Sequence, residues 1–292
     1  MNCVITFNKF SEKQIVVSGK IASWISDLLK IKLIDTKQKA TEALQSDIDT
    51  LFVVNGILVF CDFRNEIKQL IEKAKKIVWI GNDYTCALIP WAKAKSNLMR
   101  IAAYDNFDNL KNHKVVDLNK LLHKSLPKKD FKYEGMFYYG AYRKNRVDTF
   151  KKWFNHDMFD VYISTAQRNA ADFNSINPAA KIYKATGEVQ QFLRLFQSSI
   201  YIEDEKNTSG IGVCPANRFY EVIGSKVLLL CDIKSKNNLS RAGFWDDAFC
   251  VSSVLDYKKK LENWQELREK QISMFDQRDF KAELNREFLA AL

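Results

Sequence analysis

The sequence is poor in the residue types that build metal sites, disulfide frameworks and loop-rich folds. Its 292 residues include three histidines, none close to another, and six cysteines without a Cys-x-x-Cys pair, so neither a zinc site nor a disulfide framework is expected. The low numbers of glycines (10) and prolines (4) argue against a disordered chain. No apolar run reaches the ~18 residues of a membrane helix, and the N-terminus MNCVITFNKF lacks a signal-peptide pattern. We therefore expect a folded cytoplasmic protein with no membrane partner.

Acidic residues are the minority among the charged ones. Lysine and arginine total 45 against 35 aspartates and glutamates, which gives a formal net charge of +10. An excess of this size suggests an anionic partner such as nucleic acid or a phosphorylated ligand. A solvated lysine-rich surface is the alternative, and composition alone favours neither.

Short, continuous apolar runs alternate with helical patterns along the chain. The apolar runs predict strands at 2–7, 50–56, 76–83, 99–105, 113–118, 136–142, 160–165, 199–204, 226–232 and 247–253. Amphipathic patterns predict helices at 20–29, 66–75, 146–156 and 188–199 and from 254 to the end, with a polar loop from 165 to about 186. Strands that are apolar on both faces and separated by helices are typical of parallel sheets covered on both sides.

One basic segment interrupts this alternation. Residues 124–135, KSLPKKDFKYEG, contain a proline and a glycine and show no hydrophobic period, which predicts a linker. We therefore predict an α/β protein with two Rossmann-like domains facing each other, at 1–126 and 135–255, followed by C-terminal helices at 256–292. Ligands of such sheets bind outside the carboxyl ends of the strands, so the polar residues that follow each strand are the candidates for a site.

The stretch YYGAYRKNR (138–146) is the first of these candidates. A predicted strand ends at Gly140, and Arg143, Lys144 and Arg146 then open the next helix. Cations are disfavoured at a helix N-terminus by ~0.3–1 kcal/mol each, whereas the free N–H groups there favour anions. Because arginine forks match phosphate oxygens in two-point contacts, the pattern indicates a phosphate site. A basic surface turn is the alternative.

The second candidate lies in CPANRFYEVIGSKVLLLCD (214–232). Asn217 as N-cap and Gly224 as terminator predict a short helix on which Arg218 and Glu221 share a face. An exposed ion pair worth ~0.3 kcal/mol is the ordinary interpretation. This helix, however, lies between a polar loop (203–210) and the most apolar strand of the chain. A carboxylate in that position can bind the vicinal hydroxyls of a ribose.

The same stretch is similar to the donor-site signature of GT-B glycosyltransferases: Arg-x-x-Glu, a small-residue turn, and a hydrophobic strand that ends in Asp. Four further stretches, DIDTLFVVNG, KIVWIGNDYT, YYGAYRKNR and IYIEDEKNTSG, resemble the phage DNA glucosyltransferases that modify hydroxymethylcytosine, in the same order. The resemblance covers roughly residues 45–265. It implies the GT-B fold, with a C-terminal helix that crosses back to the first domain. The phosphate loop is one residue shorter than in the family, with Ala141 and Tyr142 where the family has a small hydroxyl residue.

The resemblance also implies a role for each matching residue. Glu221 would hold the ribose hydroxyls with Arg218 beside it, and Arg143 and Arg146 would bind the diphosphate and stabilise the leaving nucleotide. Asp83 would take the proton of the acceptor hydroxymethyl group, although an aspartate that caps the next helix is the alternative. The remaining predicted positions are Gly140, Lys144 and Asp204 at the donor and Asn55 and Tyr84 at the acceptor.

The implied activity is transfer of glucose from UDP-glucose to 5-hydroxymethylated pyrimidines of double-stranded phage DNA in the host cytoplasm. The resemblance implies a monomer with no tightly bound cofactor and no essential metal, and with Mg²⁺ only as a stimulating ion. Two alternatives stay open. One is a GT-B glycosyltransferase with a glycan, protein or small-molecule acceptor, and the other is a non-catalytic nucleic-acid-binding protein of the same fold.

Overall fold

The computed structural model describes residues 1–6, 17–54, 63–81, 96–104, 110–185, 189–202 and 214–292. The chain forms two compact units. The first unit comprises Met1–Leu121 together with Lys281–Leu292, and the second comprises Leu122–Phe280.

The first unit is built on a six-stranded sheet in the order β2-β1-β3-β4-β5-β6, and its strands pair in parallel. The strands are β1 (Asn2–Thr6), β2 (Lys32–Ile34), β3 (Thr50–Val54), β4 (Lys76–Gly81), β5 (Leu98–Ala102) and β6 (His113–Val115). Successive residues of the inner strands face opposite cores, because side chains alternate along a strand. Leu51 and Val53 pack on one side, and Phe52 and Val54 pack on the other.

The second unit is also built on a six-stranded parallel sheet, in the order β12-β11-β10-β7-β8-β9. Its strands are β7 (Tyr133–Tyr139), β8 (Val161–Thr165), β9 (Lys181–Lys184), β10 (Phe196–Tyr201), β11 (Leu228–Asp232) and β12 (Cys250–Val251). All five residues of β8 and of β11 are buried, which explains why these strands read as unbroken apolar runs. The predicted α/β class with two parallel sheets is therefore confirmed.

Helices cover both sheets. They are α1 (Val17–Leu29), α2 (Lys37–Ala43), α3 (Arg64–Lys73), α4 (Val147–Phe154), α5 (Ala170–Ile176), α6 (Val189–Leu193), α7 (Asn217–Gly224), α8 (Lys236–Arg241), α9 (Val254–Glu262), α10 (Trp264–Asp276) and α11 (Phe280–Ala291). In the first unit, α2 and α3 cover one face of the sheet, and α1 and α11 cover the other. Across the described ranges, no helix has the length and apolar character needed to span a membrane.

Several elements differ from the sequence prediction, and helices α2 and α8 lie in stretches for which no element was predicted. The predicted polar loop from 165 to about 186 contains helix α5 and strand β9. The predicted helix at 188–199 is the five-residue α6, and β10 already begins at Phe196. Strand β2 was not predicted at all. The two missed strands lie at sheet edges and are only three and four residues long, so they lack the apolar run that marks a central strand.

The segment predicted as a linker, 124–135, lies in the second unit. The Leu126 N–H donates to the Gly224 carbonyl at 2.8 Å, so the segment is bound to the end of α7. Arg194 Nη2 donates to the Pro127 carbonyl, also at 2.8 Å. Strand β7 then begins at Tyr133. The segment thus has fixed partners within this unit.

Candidate functional site

The order of strands in the second sheet singles out one crevice. Counted in chain order, the six strands lie as 6-5-4-1-2-3, the classic order of dinucleotide-binding sheets read from its other end. From β7 the chain continues to β8 on one side, and from β10 it continues to β11 on the other. Ligands of such sheets bind where the order reverses, outside the carboxyl ends of the strands. That position lies between the ends of β7 and β10.

Gly140 follows β7 directly at this point. Its φ is +153°, a backbone conformation that side-chain-bearing residues rarely adopt. A Cβ at this position would lie 2.8 Å from the Tyr138 hydroxyl and 3.0 Å from Arg218 Nη1. The Gly140 carbonyl accepts a hydrogen bond from Thr165 Oγ1 at 2.8 Å, which fixes the turn. The absence of a side chain therefore lets a guanidinium approach the backbone.

Helix α7 carries the predicted charged pair to the same crevice. Its buried face consists of Phe219, Tyr220, Val222 and Ile223, and this leaves Arg218 and Glu221 half-buried. The prediction that Asn217 caps the helix is wrong, because the N-cap is Ala216, which has no side-chain acceptor. The Ala216 N–H instead donates to the Tyr201 hydroxyl at 2.9 Å. A side chain from the end of β10 thus anchors the start of this helix.

Arg218 is held by the ends of both strands. Its Nη2 donates to the Ile202 carbonyl at 2.9 Å, and its Nη1 lies 3.4 Å from the Tyr138 hydroxyl. The guanidinium carbon lies 5.7 Å from the centroid of the Tyr138 ring and 5.6 Å from that of Tyr201, within cation–π range. Arg218 therefore braces β7, β10 and α7 together at the crevice.

Glu221 is held by the neighbouring tyrosine. The Tyr139 hydroxyl donates to Glu221 Oε2. Burial raises the pKa of the Tyr139 phenol well above its usual range, and the negative charge of Glu221 and this hydrogen bond raise it further. The phenol therefore stays protonated at neutral and mildly alkaline pH, and it remains a donor to the carboxylate.

Tyr138 and Tyr139 belong to the basic stretch YYGAYRKNR, but the sequence pattern predicts no role for them. They are consecutive residues of β7, so their side chains leave opposite faces of the sheet. Tyr138 lies in the apolar core with Phe150 and Phe154, whereas Tyr139 stacks near Phe137. Two phenols at the end of a buried strand are a usable signal, since a buried tyrosine hydroxyl usually has a hydrogen-bond partner. Here the partners are the two charged residues of α7.

The basic loop follows Gly140. Residues Lys144–Arg146 form one 3₁₀ turn that leads into α4, and the Arg146 N–H donates to the Arg143 carbonyl at 2.9 Å. Arg143 and Lys144 are exposed, whereas the Arg146 side chain is 5% exposed. The three predicted cations therefore differ in their access to a ligand, although all of them follow the crevice strand β7.

The other predicted positions lie outside the described residues. They are Asn55, Asp83 and Tyr84 on the acceptor side and Asp204 on the donor side. Among the residues that the structure does describe, no three histidine, cysteine, aspartate or glutamate side chains are grouped so that they could hold a metal ion.

The two parallel six-stranded sheets, each with helices on its faces, define the GT-B class of fold. The chain is similar over its whole length to solved structures of this class. For a T4 phage BGT mutant in complex with UDP-glucose, the TM-score is 0.74 at 15% identity, over 99% of this chain and 98% of that one. No protein-family model matches the sequence, and no curated protein matches it significantly.

Two further structures give the same result. One is the DNA modifying enzyme beta-glucosyltransferase, studied with and without uridine diphosphoglucose; its TM-score is 0.71 at 13% identity, over 100% of this chain and 99% of that one. The other is Anabaena HepE in complex with UDP-glucose, with a TM-score of 0.57 at 10% identity over 100% and 99% of the two chains. The predicted GT-B fold is confirmed.

Proposed function

We propose that this protein is a glycosyltransferase that takes glucose from UDP-glucose and transfers it to a 5-hydroxymethylated pyrimidine in double-stranded DNA. The observation that carries the proposal is the pair of charged residues Arg218 and Glu221, which lies where the order of the second sheet reverses, with the Arg218 guanidinium against the backbone of Gly140. Structures of the same fold that hold UDP-glucose support the choice of donor.

The donor would bind at the carboxyl ends of β7 and β10. Glu221 offers carboxylate oxygens, which only accept hydrogen bonds, and ribose hydroxyls are donors that match them. In the proposal Arg143 and Arg146 bind the diphosphate. Arg143 is the exposed one of the two, so its replacement gives the cleaner test of this role. The missing side chain of Gly140 supports the proposal because it lets the Arg218 guanidinium approach the backbone at the end of β7.

The chemical step makes one bond and breaks one. The acceptor oxygen bonds to the anomeric carbon of glucose, the bond from that carbon to the diphosphate oxygen breaks, and Asp83 takes the acceptor proton. Negative charge grows on the leaving diphosphate, and cations that are already in place stabilise it without reorganisation. No step of this scheme needs a metal ion.

DNA is proposed as the acceptor on two grounds. The formal net charge of +10 suits a polyanion, and one structure of the same fold is that of a DNA modifying enzyme. A hydroxymethyl group on a stacked base is out of reach of a pocket, so the base would be turned out of the duplex.

A thermal-shift panel tests the proposal. UDP, UDP-glucose, GDP-glucose and ADP-glucose would be compared, each with and without duplex DNA that carries 5-hydroxymethylcytosine. The proposal predicts that the two uridine nucleotides raise the melting temperature, because they bind the folded state alone. A protein that no nucleotide or nucleotide sugar stabilises is not a transferase of this kind. Stabilisation by UDP-glucose without transfer to any modified DNA would instead support a glycan, protein or small-molecule acceptor.

A further inference from the structure

We infer that Tyr139 is a positioning residue for donor recognition: its hydroxyl fixes the Glu221 carboxylate so that the site discriminates between a ribose and a deoxyribose. The inference rests on the proposed function, since it concerns the same donor site. It assigns to Tyr139 a contribution to specificity and no contact with the reacting atoms.

The geometry separates Tyr139 from the aromatic residues that only fill the core. Tyr139 is the last residue of β7, directly before Gly140, and its hydroxyl bonds to Glu221, 82 positions further along the chain. Below it on the same face, Phe137 and Phe196 stack with ring centroids 4.2 Å apart and have no hydroxyl. A phenylalanine would therefore suit the stack at position 139 as well, and the phenolic oxygen serves the carboxylate.

A free glutamate side chain has several rotatable bonds and loses rotamer freedom when it must meet two hydroxyls at once. A hydrogen bond to Oε2 removes much of that freedom before the ligand arrives, and preorganisation of this kind improves affinity by lowering the ordering cost. The main chain of Glu221 is also fixed, because its carbonyl accepts from Ser225 Oγ at 2.6 Å and from Gln190 Nε2 at 3.2 Å. Tyr139 thus holds the end of a side chain whose main chain is already fixed.

The neighbouring tyrosine, Tyr138, contacts the other charged residue of α7. It precedes Tyr139, points to the opposite face of the strand and contacts Arg218. Of the two consecutive tyrosines of β7, Tyr138 contacts Arg218 and Tyr139 donates to Glu221. Loss of the Tyr139 hydroxyl should affect recognition of the ribose, and the guanidinium should keep its partners.

The test is a set of calorimetric titrations of UDP, 2′-deoxy-UDP and 3′-deoxy-UDP into the wild type and the Tyr139→Phe variant. In the wild type, loss of one ribose hydroxyl should weaken binding about 10-fold, the usual effect of a hydrogen bond to a charged group. In Tyr139→Phe, UDP should bind about 10-fold more weakly and the preference for UDP over its deoxy analogues should fall below about 3-fold.

Two further variants separate positioning from a general loss of stability. Tyr257→Phe removes another buried phenol of this unit, one that bonds Ser198 Oγ at 2.7 Å, and it should leave the preference for the ribose unchanged. Adding Tyr139→Phe to Glu221→Ala should weaken UDP binding no further, because the hydroxyl acts only through that carboxylate.

The outcomes are distinct. A Tyr139→Phe protein that binds UDP as tightly as the wild type, or that keeps the full preference for the ribose, overturns the inference and leaves the proposed function intact. An additional loss of affinity in the double variant also overturns it. A wild type that does not bind UDP overturns the proposed function and this inference together.

Discussion

At the scale of single residues, the proposed donor site contains two charged side chains whose protein partners are already in place. Glu221 is bonded to a phenol, and Arg218 is bonded to a main-chain carbonyl between two aromatic rings. Neither resembles the exposed ion pair that their spacing on a short helix first suggests. An exposed ion pair on a helix involves only neighbouring residues, whereas Arg218 and Glu221 are held by strands that are distant in the sequence.

Glu221→Ala should weaken UDP binding about 10- to 100-fold, because the hydroxyls of the ribose lose a charged acceptor. Titration calorimetry measures this directly. Glu262→Ala is the matched control, since Glu262 is an exposed glutamate at the end of α9 in the same unit. Equal affinities of the two variants for UDP would remove Glu221 from the donor site.

Gly140→Ala should damage both the fold and the site. The variant forces a residue with a Cβ into φ +153° and brings that Cβ against Tyr138 and Arg218, so we expect a loss of about 2 kcal/mol in the free energy of unfolding and weaker UDP binding. Gly243→Ala is the control, because Gly243 has φ +72° but no atom within 4 Å of the added Cβ. Urea unfolding and UDP titration of both variants check this. Normal UDP binding by Gly140→Ala would contradict the account.

The sequence pattern predicts Arg218 and Glu221 as candidate site residues, and it contains no signal for the contacts that hold them. Arg218 and Glu221 stand out because their short helix lies between a polar loop (203–210) and a very apolar strand, and that pattern is local. The Tyr139–Glu221 and Tyr138–Arg218 contacts join positions about 80 apart, and they arise only when β7 and β10 pair. The prediction of Asn217 as N-cap is wrong for the same reason. The residue that holds the start of this helix is Tyr201, which lies on β10.

At the scale of elements, the sequence pattern predicts the central strands and two of the four edge strands, β6 and β12, and misses β2 and β9. The inner strands are buried on both faces, so their apolar runs are unbroken. The missed edge strands β2 and β9 are short and begin with lysine, and pairing with a neighbour defines them more than composition does. The segment 124–135 has no hydrophobic period, which predicts a linker. In the structure its main-chain groups form hydrogen bonds with Gly224, Arg194 and Arg268.

Helix α11 is attached to the first unit by both apolar and charged contacts. Leu284 and Phe288 are buried in the core beneath it, and Trp24 Nε1 donates to Asn285 Oδ1 at 2.8 Å. Lys120 is 7% exposed, lies 3.2 Å from Glu283 Oε2 and also pairs with Glu287. A buried ammonium with two carboxylates is costly to leave incomplete.

Lys120→Met should loosen α11, because it leaves Glu283 and Glu287 without their shared cation. We expect a loss of about 1–2 kcal/mol, less than for a fully buried pair because both carboxylates are partly exposed. Hydrogen exchange should become faster across 280–291. In the control Lys128→Met, which breaks a pair with Glu269 that is about half exposed on both sides, the change should stay within ~0.5 kcal/mol. Unchanged exchange in α11 would show that the apolar contacts suffice.

At the scale of the whole molecule, the positive charge should govern binding to DNA. Neutralised phosphates release counterions, so the logarithm of the affinity falls linearly with the logarithm of the salt concentration. For a contact with about five phosphates we expect a slope of roughly −4.5, measured by fluorescence anisotropy on duplex DNA between low and moderate salt. An affinity for DNA that salt does not change would mean that the charge of +10 is a solvated surface.

The product of the proposed reaction can be identified directly. The most direct measurement incubates the protein with UDP-glucose and duplex DNA containing 5-hydroxymethylcytosine, digests the DNA to nucleosides and identifies them by mass spectrometry. Matched duplexes with cytosine in place of the modified base, and the Glu221→Ala protein, serve as controls. We expect that hydroxymethylcytosine alone gains one hexose and that Glu221→Ala makes this product much more slowly at limiting UDP-glucose. Recovery of only unmodified hydroxymethylcytosine, from a protein that is shown to be folded and to bind UDP-glucose, would contradict this expectation.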